Sequence, residues 1–559
     1  MTGVVTRTHR NLRDALRRSS IASFQTLVHH FKDLTHLENE NLNSESVSID
    51  EKGLQSDKEP TPPTSEIQES ASWKFLQGSE TGLHDSLIPE SAWKVLRLLH
   101  RKGFEAYLVG GSVRDLLLKR TPKDFDILTT AEPSEVKKHF ARIMRCMIIG
   151  RRFPICHVYS LGTVVEVSSF STNGSLKNQR RCDSTGVTPD SNISNSAKLC
   201  TDRDFARWKN CMKRDFTVNG LLYDPFGHVL YDYIGGLKDL KERKLRTIVS
   251  ADDSFEEDSA RMLRAIRIAA RLGFQFSRDT ASSIHTYALL LSSINKARLM
   301  AEVDIMMAYG SAEPSLRLLW RFGVLDLLLP LQASYFTSQR FRRRGRGVNL
   351  LLILLRNLDR VVAPSRACHS SLWVALLAFH LALEKKKRSH IVAAAGALAV
   401  CYQDMQEALA KTRRVESRLK QGEFAVDDTY FLDVKDLSED DIQEQASELL
   451  DDAVESLRNM LDEDFLEKAT EYNEGQYKSK MVVIPKPVSS KVIGLFLGAK
   501  TLVKSHWGEK DGKSQREKDE RSRNEALTRG DRIEVGFIFS RIILNTLYPS
   551  AKKVSSVLS

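Results

Sequence analysis

The chain has 559 residues, a hydrophobic fraction of 42% and a formal net charge of +11. This length allows more than one domain, and the basic excess suits a polyanionic partner without identifying one. The seven cysteines form no CxxC pair, which argues against a disulfide framework or a structural zinc site and favours a reducing compartment. No apolar run approaches the roughly 20 residues that a membrane helix needs, so we expect no membrane partner.

The N-terminal region has the composition of a targeting segment followed by a linker. Residues 1–36 are rich in Arg, Ser and Thr, and their only acids are Asp14 and Asp33. This pattern predicts an organellar presequence, and the alternative is an ordinary basic helix or a nuclear tail. We therefore expect a mitochondrial or chloroplast protein, with the nucleus as the alternative. Residues 37–85 are mostly polar and predict a disordered linker.

The stretch at 107–130 combines paired glycines with an Asp-Phe-Asp motif. Gly110 and Gly111 end a predicted buried strand, and a short helix follows. A second short strand carries Asp124 and Asp126, whose side chains would point the same way because residues i and i+2 of a strand share a face. Two carboxylates so close repel each other unless a cation lies between them. A pair of Mg²⁺ ions that also hold a nucleotide triphosphate would be such a cation, and turn capping is the alternative.

Further strands are predicted at 142–149, 155–160 and 163–169. The last of them carries Glu166, which is either an exposed edge residue or a functional carboxylate. Residues 171–210 show little periodicity, and a stretch of that length inside a compact domain predicts a mobile functional loop.

From Phe255 the pattern becomes helical. Three acids ending in Asp258 lie near the predicted start of the first helix, where they suit the helix dipole. Arg261, Arg264 and Arg267 share one face of that helix, and Asp258 precedes Arg261 by one turn. The pattern favours either intrahelical ion pairs or an Asp/Arg pair offered to the hydrogen-bonding edge of a nucleobase.

Several of these motifs, taken in this order, resemble those of class II nucleotidyltransferases. That family comprises the CCA-adding enzymes of tRNA and the bacterial-type poly(A) polymerases. The resemblance covers roughly residues 90–330 and depends on the combination rather than on any single motif. The motifs are Gly110-Gly111-Ser112-Val113-Arg114-Asp115, Asp124-Phe125-Asp126, Arg214-Asp215-Phe216-Thr217 and Glu257-Asp258-Ser259-Ala260-Arg261.

The resemblance implies an α+β fold, in which a small mixed-sheet nucleotidyltransferase head precedes an all-helical neck and body. We expect the head at 86–250, with the mobile loop 171–210 inside it. A helical neck with a nucleobase-selecting helix at 251–330, a helical RNA-binding body at 331–500 and a charged C-terminal region at 501–559 would follow.

The resemblance also implies roles for individual residues. Two Mg²⁺ ions, which Mn²⁺ could replace, would be bound by Asp124 and Asp126. Either Glu166 or Asp215 would act as the third catalytic carboxylate, and this alternative stays open. The nucleotide would be bound by the remaining residues: Gly110 and Gly111 beside the triphosphate, Arg114 near its charge, Arg214 and Asp215 at the ribose, and Asp258, Arg261 and Arg264 at the base.

The expected activity is transfer of AMP from ATP to RNA 3′ ends, with mRNA or other RNA as the partner. The run from Ile148 to Val158 resembles the signature of bacterial-type poly(A) polymerases, and the long 171–210 segment resembles plant members of the family. The alternatives are a CCA-adding enzyme that acts on tRNA and a catalytically inactive RNA-binding protein of the same fold.

Overall fold

The protein is represented by a computed structural model that describes most of the chain from Trp73 onward. The described residues are 73–150, 154–170, 201–363, 366–420, 430–432, 437–471, 481–499 and 516–549. The predicted presequence 1–36, most of the predicted linker and residues 171–200 of the predicted loop lie outside these ranges.

An eight-stranded mixed sheet forms the first part of the described chain, in the order β1-β8-β7-β2-β3-β6-β5-β4. All neighbouring strands are antiparallel except β3 and β6, which run parallel. The strands are β1 Lys74–Gln77, β2 Ala106–Val109, β3 Asp126–Thr129, β4 Arg145–Ile149, β5 Ile155–Ser160, β6 Thr163–Ser169, β7 Leu222–Asp224 and β8 Val229–Asp232. A separate parallel pair, β9 Lys244–Leu245 and β10 Gln275–Phe276, joins the sheet domain to the helices that follow.

One face of the sheet is covered by two helices, α2 (Glu90–Arg101) and α4 (Pro133–Phe140), which contact β4, β5 and β6. Alternate strand residues such as Cys156, Val158 and Val167 are fully buried on this face. Burial of these apolar side chains is the main driving force that fixes the strand register, since a one-residue slip would turn them to solvent.

Residues 73–85 belong to this domain, although the sequence pattern assigned them to a disordered linker. Strand β1 pairs antiparallel with β8. The ring of Trp73 lies 5.0 Å from that of Tyr233, and Phe75 lies 5.4 Å from Tyr231. The linker prediction was wrong here because aromatic contacts to a distant strand compensate for the polar local composition.

The end of the predicted 171–210 loop is also ordered. Helix α5 spans Asp202–Met212, and its first turn is held by a capping box between Thr201 and Asp204. Arg207 donates to the Tyr107 hydroxyl group and to Asp204 Oδ1, at 2.5 and 3.0 Å. These polar contacts and the burial of Cys211 against the sheet hold the helix. Its apolar residues are too few to give a helical periodicity, so the sequence pattern did not predict it.

Helices make up the rest of the described chain, which confirms the predicted α+β fold with a helical second part. The shorter helices among the sheet strands are α1 Gly78–Thr81, α3 Gly111–Leu117 and α6 Gly236–Lys241. The later helices are α7 Ala251–Glu257, α8 Ala260–Leu272, α9 Arg278–Tyr287, α10 Lys296–Ala308, α11 Ala312–Arg321, α12 Leu325–Leu328, α13 Pro330–Ser338, α14 Leu350–Val361, α15 Ser370–Lys385, α16 His390–Tyr402, α17 Met405–Lys420, α18 Glu439–Asn459, α19 Glu463–Glu471, α20 Lys486–Gly498, α21 Arg516–Arg529 and α22 Arg532–Leu547.

The last helix, α22, packs closely against α16. Gly536 permits this approach, because a Cβ at that position would lie 2.6 Å from the carbonyl oxygen of Val400. Among the described helices, none combines the length and apolarity that crossing a lipid bilayer requires.

His380 lies at the centre of α15 and makes the stability of the fold sensitive to acid. It is fully buried, and neither ring nitrogen has a hydrogen-bond partner among the described residues. Burial lowers the pKa of His380 from 6.5 to about 3. Between these two pH values the unfolded chain binds a proton that the folded chain does not, so the free energy of unfolding decreases as the pH falls.

Between about pH 6.5 and about pH 3, His380 should lower the free energy of unfolding by about 1.4 kcal/mol for each pH unit. Replacing His380 with Leu is expected to remove this contribution. Urea denaturation of the variant and the wild type at about pH 7 and about pH 5 measures the difference. The exposed His228, replaced in the same way, serves as the control. An unchanged pH dependence in His380→Leu would contradict this account.

Candidate active site

Two acidic side chains meet at the one parallel strand pair of the sheet. Asp126, the first residue of β3, lies directly opposite Glu166 of β6, and Glu166 lies opposite His157 of β5. Residues in register across neighbouring strands point to the same face. His157 Nε2 is 3.3 Å from Glu166 Oε1. The sheet therefore presents two carboxylates and an imidazole as adjacent groups in one row.

Asp124 lies just outside this row. Strand β3 begins at Asp126, so Asp124 occupies a bend before the strand and not the strand position that the sequence predicted. Its side chain is 60% exposed, and Lys123 Nζ lies 3.7 Å from its Oδ2. The two aspartates are neighbours at the strand end, but only Asp126 is held by the sheet.

The electrostatics of Asp126 reflect its burial and the other carboxylates close to it. The pKa of Asp126 is raised to about 6, mainly by burial and then by the Glu166 carboxylate; Arg214 lowers this pKa, and Asp124 contributes a smaller rise. A cation bound among these carboxylates would relieve their repulsion. The structure therefore brings four of the predicted site residues into one electrostatic group: Asp124, Asp126, Glu166 and Arg214.

The oxygen donors of this group suit Mg²⁺. Within the described ranges, no cluster of three or more His, Cys, Asp or Glu side chains could by itself hold a metal ion. Mg²⁺ usually keeps several waters and is bound through one or two carboxylates together with substrate phosphates. Asp124 and Asp126 would supply two such carboxylates.

Gly110 allows Arg214 to lie over the backbone beside the carboxylates. Its φ is +72°, and a Cβ at this position would lie 2.8 Å from Arg214 Nη1 and 3.8 Å from Asp126 Oδ2. Any other residue would strain the backbone and displace the guanidinium group. Gly111 is less constrained, since a Cβ there would meet only the Arg114 side chain, 3.5 Å away.

Arg114 is buried, although the sequence predicted it near the triphosphate charge. Its Nε and Nη2 donate to Asp115 Oδ1 at 2.8 and 2.7 Å, and its Nη1 donates to Asn219 Oδ1 at 2.6 Å. These bonds occupy the guanidinium group inside the protein. In this structure Arg114 orients its neighbours and does not line an open surface.

Asp215 is buried in a separate network. Its Oδ1 accepts hydrogen bonds from the Phe216 backbone N–H and from Asn219 Nδ2, both at 2.9 Å, and its Oδ2 accepts one from Arg264 Nη1 at 3.2 Å. Burial alone would raise the pKa of Asp215, but Arg264 and these hydrogen bonds hold it below the usual value. Only Glu166 of the two candidate third carboxylates lies in register with Asp126.

The helical part begins differently from the prediction. Helix α7 ends at Glu257, Asp258 adopts an extended conformation, and α8 starts at Ala260. Glu256 and Glu257 therefore lie at the C-terminal end of a helix, so their predicted place near a helix start was wrong. Asp258 does precede a helix, because its Oδ1 accepts a hydrogen bond from the Ala260 N–H of α8 at 3.2 Å. The sequence gives no strong break between the two helices, since neither Gly nor Pro stands there.

Asp258 and Arg261 lie close in the chain but bind other partners. Asp258 Oδ2 accepts a hydrogen bond from Arg298 Nη2 at 2.6 Å, and Arg261 Nη1 donates to Glu257 Oε2 at 2.7 Å. Arg261 also donates to Ser254.

Helix α8 connects to the sheet domain through a buried polar network that the sequence analysis largely missed. Arg271 Nη2 donates to Asp115 Oδ2 at 3.1 Å, and Arg264 and Arg267 both pair with Glu302. We call this set the head–neck network. Spacing could have indicated Arg271, which lies seven residues after Arg264 on the same face, whereas Glu302 has no comparable signal. Its members are Arg114, Asp115, Asp215 and Asn219 of the sheet domain, and Arg264, Arg267, Arg271 and Glu302 of the helices.

Comparison with known protein families agrees with these positions. Residues 106–246 match the family described as "Poly A polymerase head domain", and residues 273–336 match "Probable RNA and SrmB- binding site of polymerase A". The first match contains the strand-end carboxylates and the second begins just after α8.

Several characterised proteins are similar to this region. Poly(A) polymerase I of Haemophilus influenzae is 38% identical over 252 residues, which are 44% of this chain and 53% of the relative. Poly(A) polymerase I of Salmonella typhi is 33% identical over 54% of this chain and 62% of the relative, and the CCA-adding enzyme of Geobacillus kaustophilus is 35% identical over 44% and 56%. The matched part thus spans about half to three-fifths of these relatives.

Among solved structures, the Bacillus stearothermophilus CCA-adding enzyme in complex with CTP aligns with 79% of this chain and 93% of that chain, at 21% identity and a TM-score of 0.37. So low a score adds nothing to the sequence relationship. The sheet and its strand-end carboxylates lie within the region that matches the poly(A) polymerase head-domain family. This part of the chain is similar to class II nucleotidyltransferases, among them poly(A) polymerases and CCA-adding enzymes.

Proposed function

We propose that the protein transfers AMP from ATP to the 3′ end of RNA without a template. The observation that carries the proposal is the parallel register of Asp126 and Glu166, with Asp124 and the Arg214 guanidinium group beside them. The names of the similar proteins support the same chemistry. We assign Asp124, Asp126 and Glu166 as the catalytic carboxylates, and Asp215 as a residue that positions the neck.

Bound Mg²⁺ would be held by Asp124 and Asp126, and it would neutralise phosphate charge and lower the pKa of the RNA 3′-hydroxyl group. Phosphoryl transfer requires positioning and charge neutralisation more than covalent participation of the protein. Glu166 adds negative charge beside Asp126 and orients His157. Arg214, held over Gly110, supplies positive charge at the place where the triphosphate would approach.

Base selection is assigned to Asp258 and Arg261 at the start of α8, with Arg264 behind them. An Asp and an Arg together offer an acceptor and donors, which recognition of a base edge requires. Both residues hold partners that a base could replace. The ion pairs Asp258–Arg298 and Arg261–Glu257 each include one well-exposed member, and exposed pairs of this kind contribute little stability.

The alternative function is CCA addition to tRNA, because the G. kaustophilus CCA-adding enzyme is 35% identical over the same region. The Ile148–Val158 run favours poly(A) addition, although residues 151–153 of it lie outside the described ranges.

Incubating the protein with an unstructured RNA, Mg²⁺ and one nucleoside triphosphate at a time tests the choice. We expect extension with ATP and none with CTP. Extension with CTP would support the CCA-adding alternative.

We also propose that the protein acts in a mitochondrion or chloroplast, with the nucleus as the alternative. The Arg-rich composition of residues 1–36 supports this proposal. A fluorescent fusion of residues 1–85 tests it, and a diffuse cytosolic signal would contradict it.

A further inference from the structure

The two halves of the carboxylate-bearing sheet face differ in what covers them. A row of in-register residues crosses the sheet, and Asp126 and Glu166 are at its centre. On one side of them, α5 covers the face through a cluster of Tyr107, Val109, Leu128, Cys211, Leu222 and Tyr233. On the other side the row continues through His157 to Met147 of edge strand β4.

Within the described ranges no helix covers the other half, which bears an apolar surface that the proposed chemistry does not use. Met147, Ile149, Tyr159 and Val164 are each 36–41% exposed, although they belong to regular strands. The register places Arg145 opposite Tyr159 and Tyr159 opposite Val164, so all of them share the face of Glu166. We call these five residues, Arg145 included, the open sheet face. Exposed apolar groups in such a patch usually mark a binding surface.

The side chains of the open sheet face combine a cation with an aromatic ring. The Arg145 guanidinium carbon lies 5.1 Å from the centre of the Tyr159 ring. The Tyr159 hydroxyl group donates a hydrogen bond to Met147 Sδ, 3.8 Å away. An aromatic platform beside a positive charge is the arrangement that proteins use to stack single-stranded nucleic acid bases, largely regardless of sequence.

We propose that the open sheet face binds the unpaired nucleotides that precede the 3′ end of the RNA, with one base stacked on Tyr159. This inference rests on the proposed function, which brings an RNA 3′-hydroxyl group to Asp126. Tyr159 lies on β5, two strands from Asp126 on β3 and two residues further along, which corresponds to a separation of about 12 Å. A nucleotide next to the terminal one can reach that far, and Arg145 meets the negative charge of the RNA backbone.

Two other occupants are conceivable for an apolar face at a sheet edge. An edge strand such as β4 can pair with a strand of a second copy, and exposed apolar residues can bind another protein. The RNA is favoured because the patch leads without interruption into the carboxylates, and because it carries Arg145 at its outer end.

The test compares three variants of the full chain. Tyr159→Leu keeps apolar bulk but removes the ring, and Tyr159→Phe keeps the ring. Phe75→Leu removes an aromatic ring on the same sheet face at the opposite edge, where Phe75 is 51% exposed and Tyr159 is 36% exposed. Steady-state assays give KM for RNA and KM for ATP separately.

We expect Tyr159→Leu to raise KM for RNA by about fivefold or more, which corresponds to at least about 1 kcal/mol per stacked base, while KM for ATP stays unchanged. Tyr159→Phe and Phe75→Leu should remain near wild type. Equal rises in Tyr159→Leu and Phe75→Leu, or no rise in either, would overturn the inference. If the wild type added no nucleotides to RNA, the proposed function itself would be wrong.

A crosslinking experiment identifies the contact without relying on activity. RNA that carries 4-thiouridine one position before its 3′ end is irradiated with the protein, and the modified peptides are found by mass spectrometry. Crosslinks within 145–164 support the inference. Crosslinks confined to other segments, or dimerisation that Tyr159→Leu abolishes, would overturn it.

Discussion

Replacing Asp126 with Asn is expected to reduce nucleotide addition by at least about a thousandfold. The carboxylate that stabilises transition-state charge through a bound metal ion contributes several kcal/mol, and each 1.36 kcal/mol is a factor of ten in rate. Asn has nearly the same shape as Asp, and removing a charge that repels Glu166 should not unfold the sheet. RNA binding should persist, because it depends on other residues.

Primer extension measures the rate, and filter binding measures the affinity for RNA. Asp85→Asn is the control, since Asp85 is exposed and its Oδ1 lies 3.6 Å from His228 Nδ1. If Asp126→Asn kept wild-type activity, the strand-end carboxylates would be structural and the proposed function would have no site.

Replacing Asp115 with Ala is expected to lower the free energy of unfolding by about 3–5 kcal/mol, the usual consequence of removing one member of a buried ion pair. The Asp115 side chain is 3% exposed and accepts hydrogen bonds from Arg114 and Arg271. Its loss leaves two guanidinium groups in the interior without their carboxylate. The change also removes one of the contacts between α8 and the sheet domain, so nucleotide addition should fall as well.

Chemical denaturation measures this effect against an exposed ion pair. Glu90 and Arg97 form a surface pair at 3.1 Å, and Glu90→Ala should change the free energy of unfolding by less than about 1 kcal/mol. Arg271→Met provides a second variant on the other side of the contact. If Asp115→Ala were as stable as Glu90→Ala, the head–neck network would not hold the two parts together.

Local patterns in the sequence predicted most of the sheet. The strands at 155–160 and 163–169 were predicted at their observed bounds, because alternating apolar residues fix a half-buried strand. Asp126 and Glu166 were both identified, but their pairing was not. A parallel contact between strands 40 residues apart in the chain leaves no local signature.

The polar contacts between distant segments were the part that sequence reasoning missed. Helix α5 is held by Arg207, which lies over two tyrosine rings, and the start of β1 is held by the contact of Trp73 with Tyr233. Neither kind of contact gives the sequence a hydrophobic periodicity. Asp258 and Arg261 were predicted as partners because they are one turn apart. The helix is interrupted at Asp258, so the two side chains have different partners. The partner of Asp258, Arg298, belongs to a later helix. Such contacts depend on the tertiary fold and not on spacing.

Sequencing the tails that the protein adds tests the central proposal most directly. A tRNA that lacks its CCA end and an unstructured RNA are incubated together with Mg²⁺ and all four nucleoside triphosphates, and the 3′ ends are then sequenced. The proposal predicts tails that contain only A on the unstructured RNA. Addition of CCA to the tRNA with no A tail on the other RNA would contradict it.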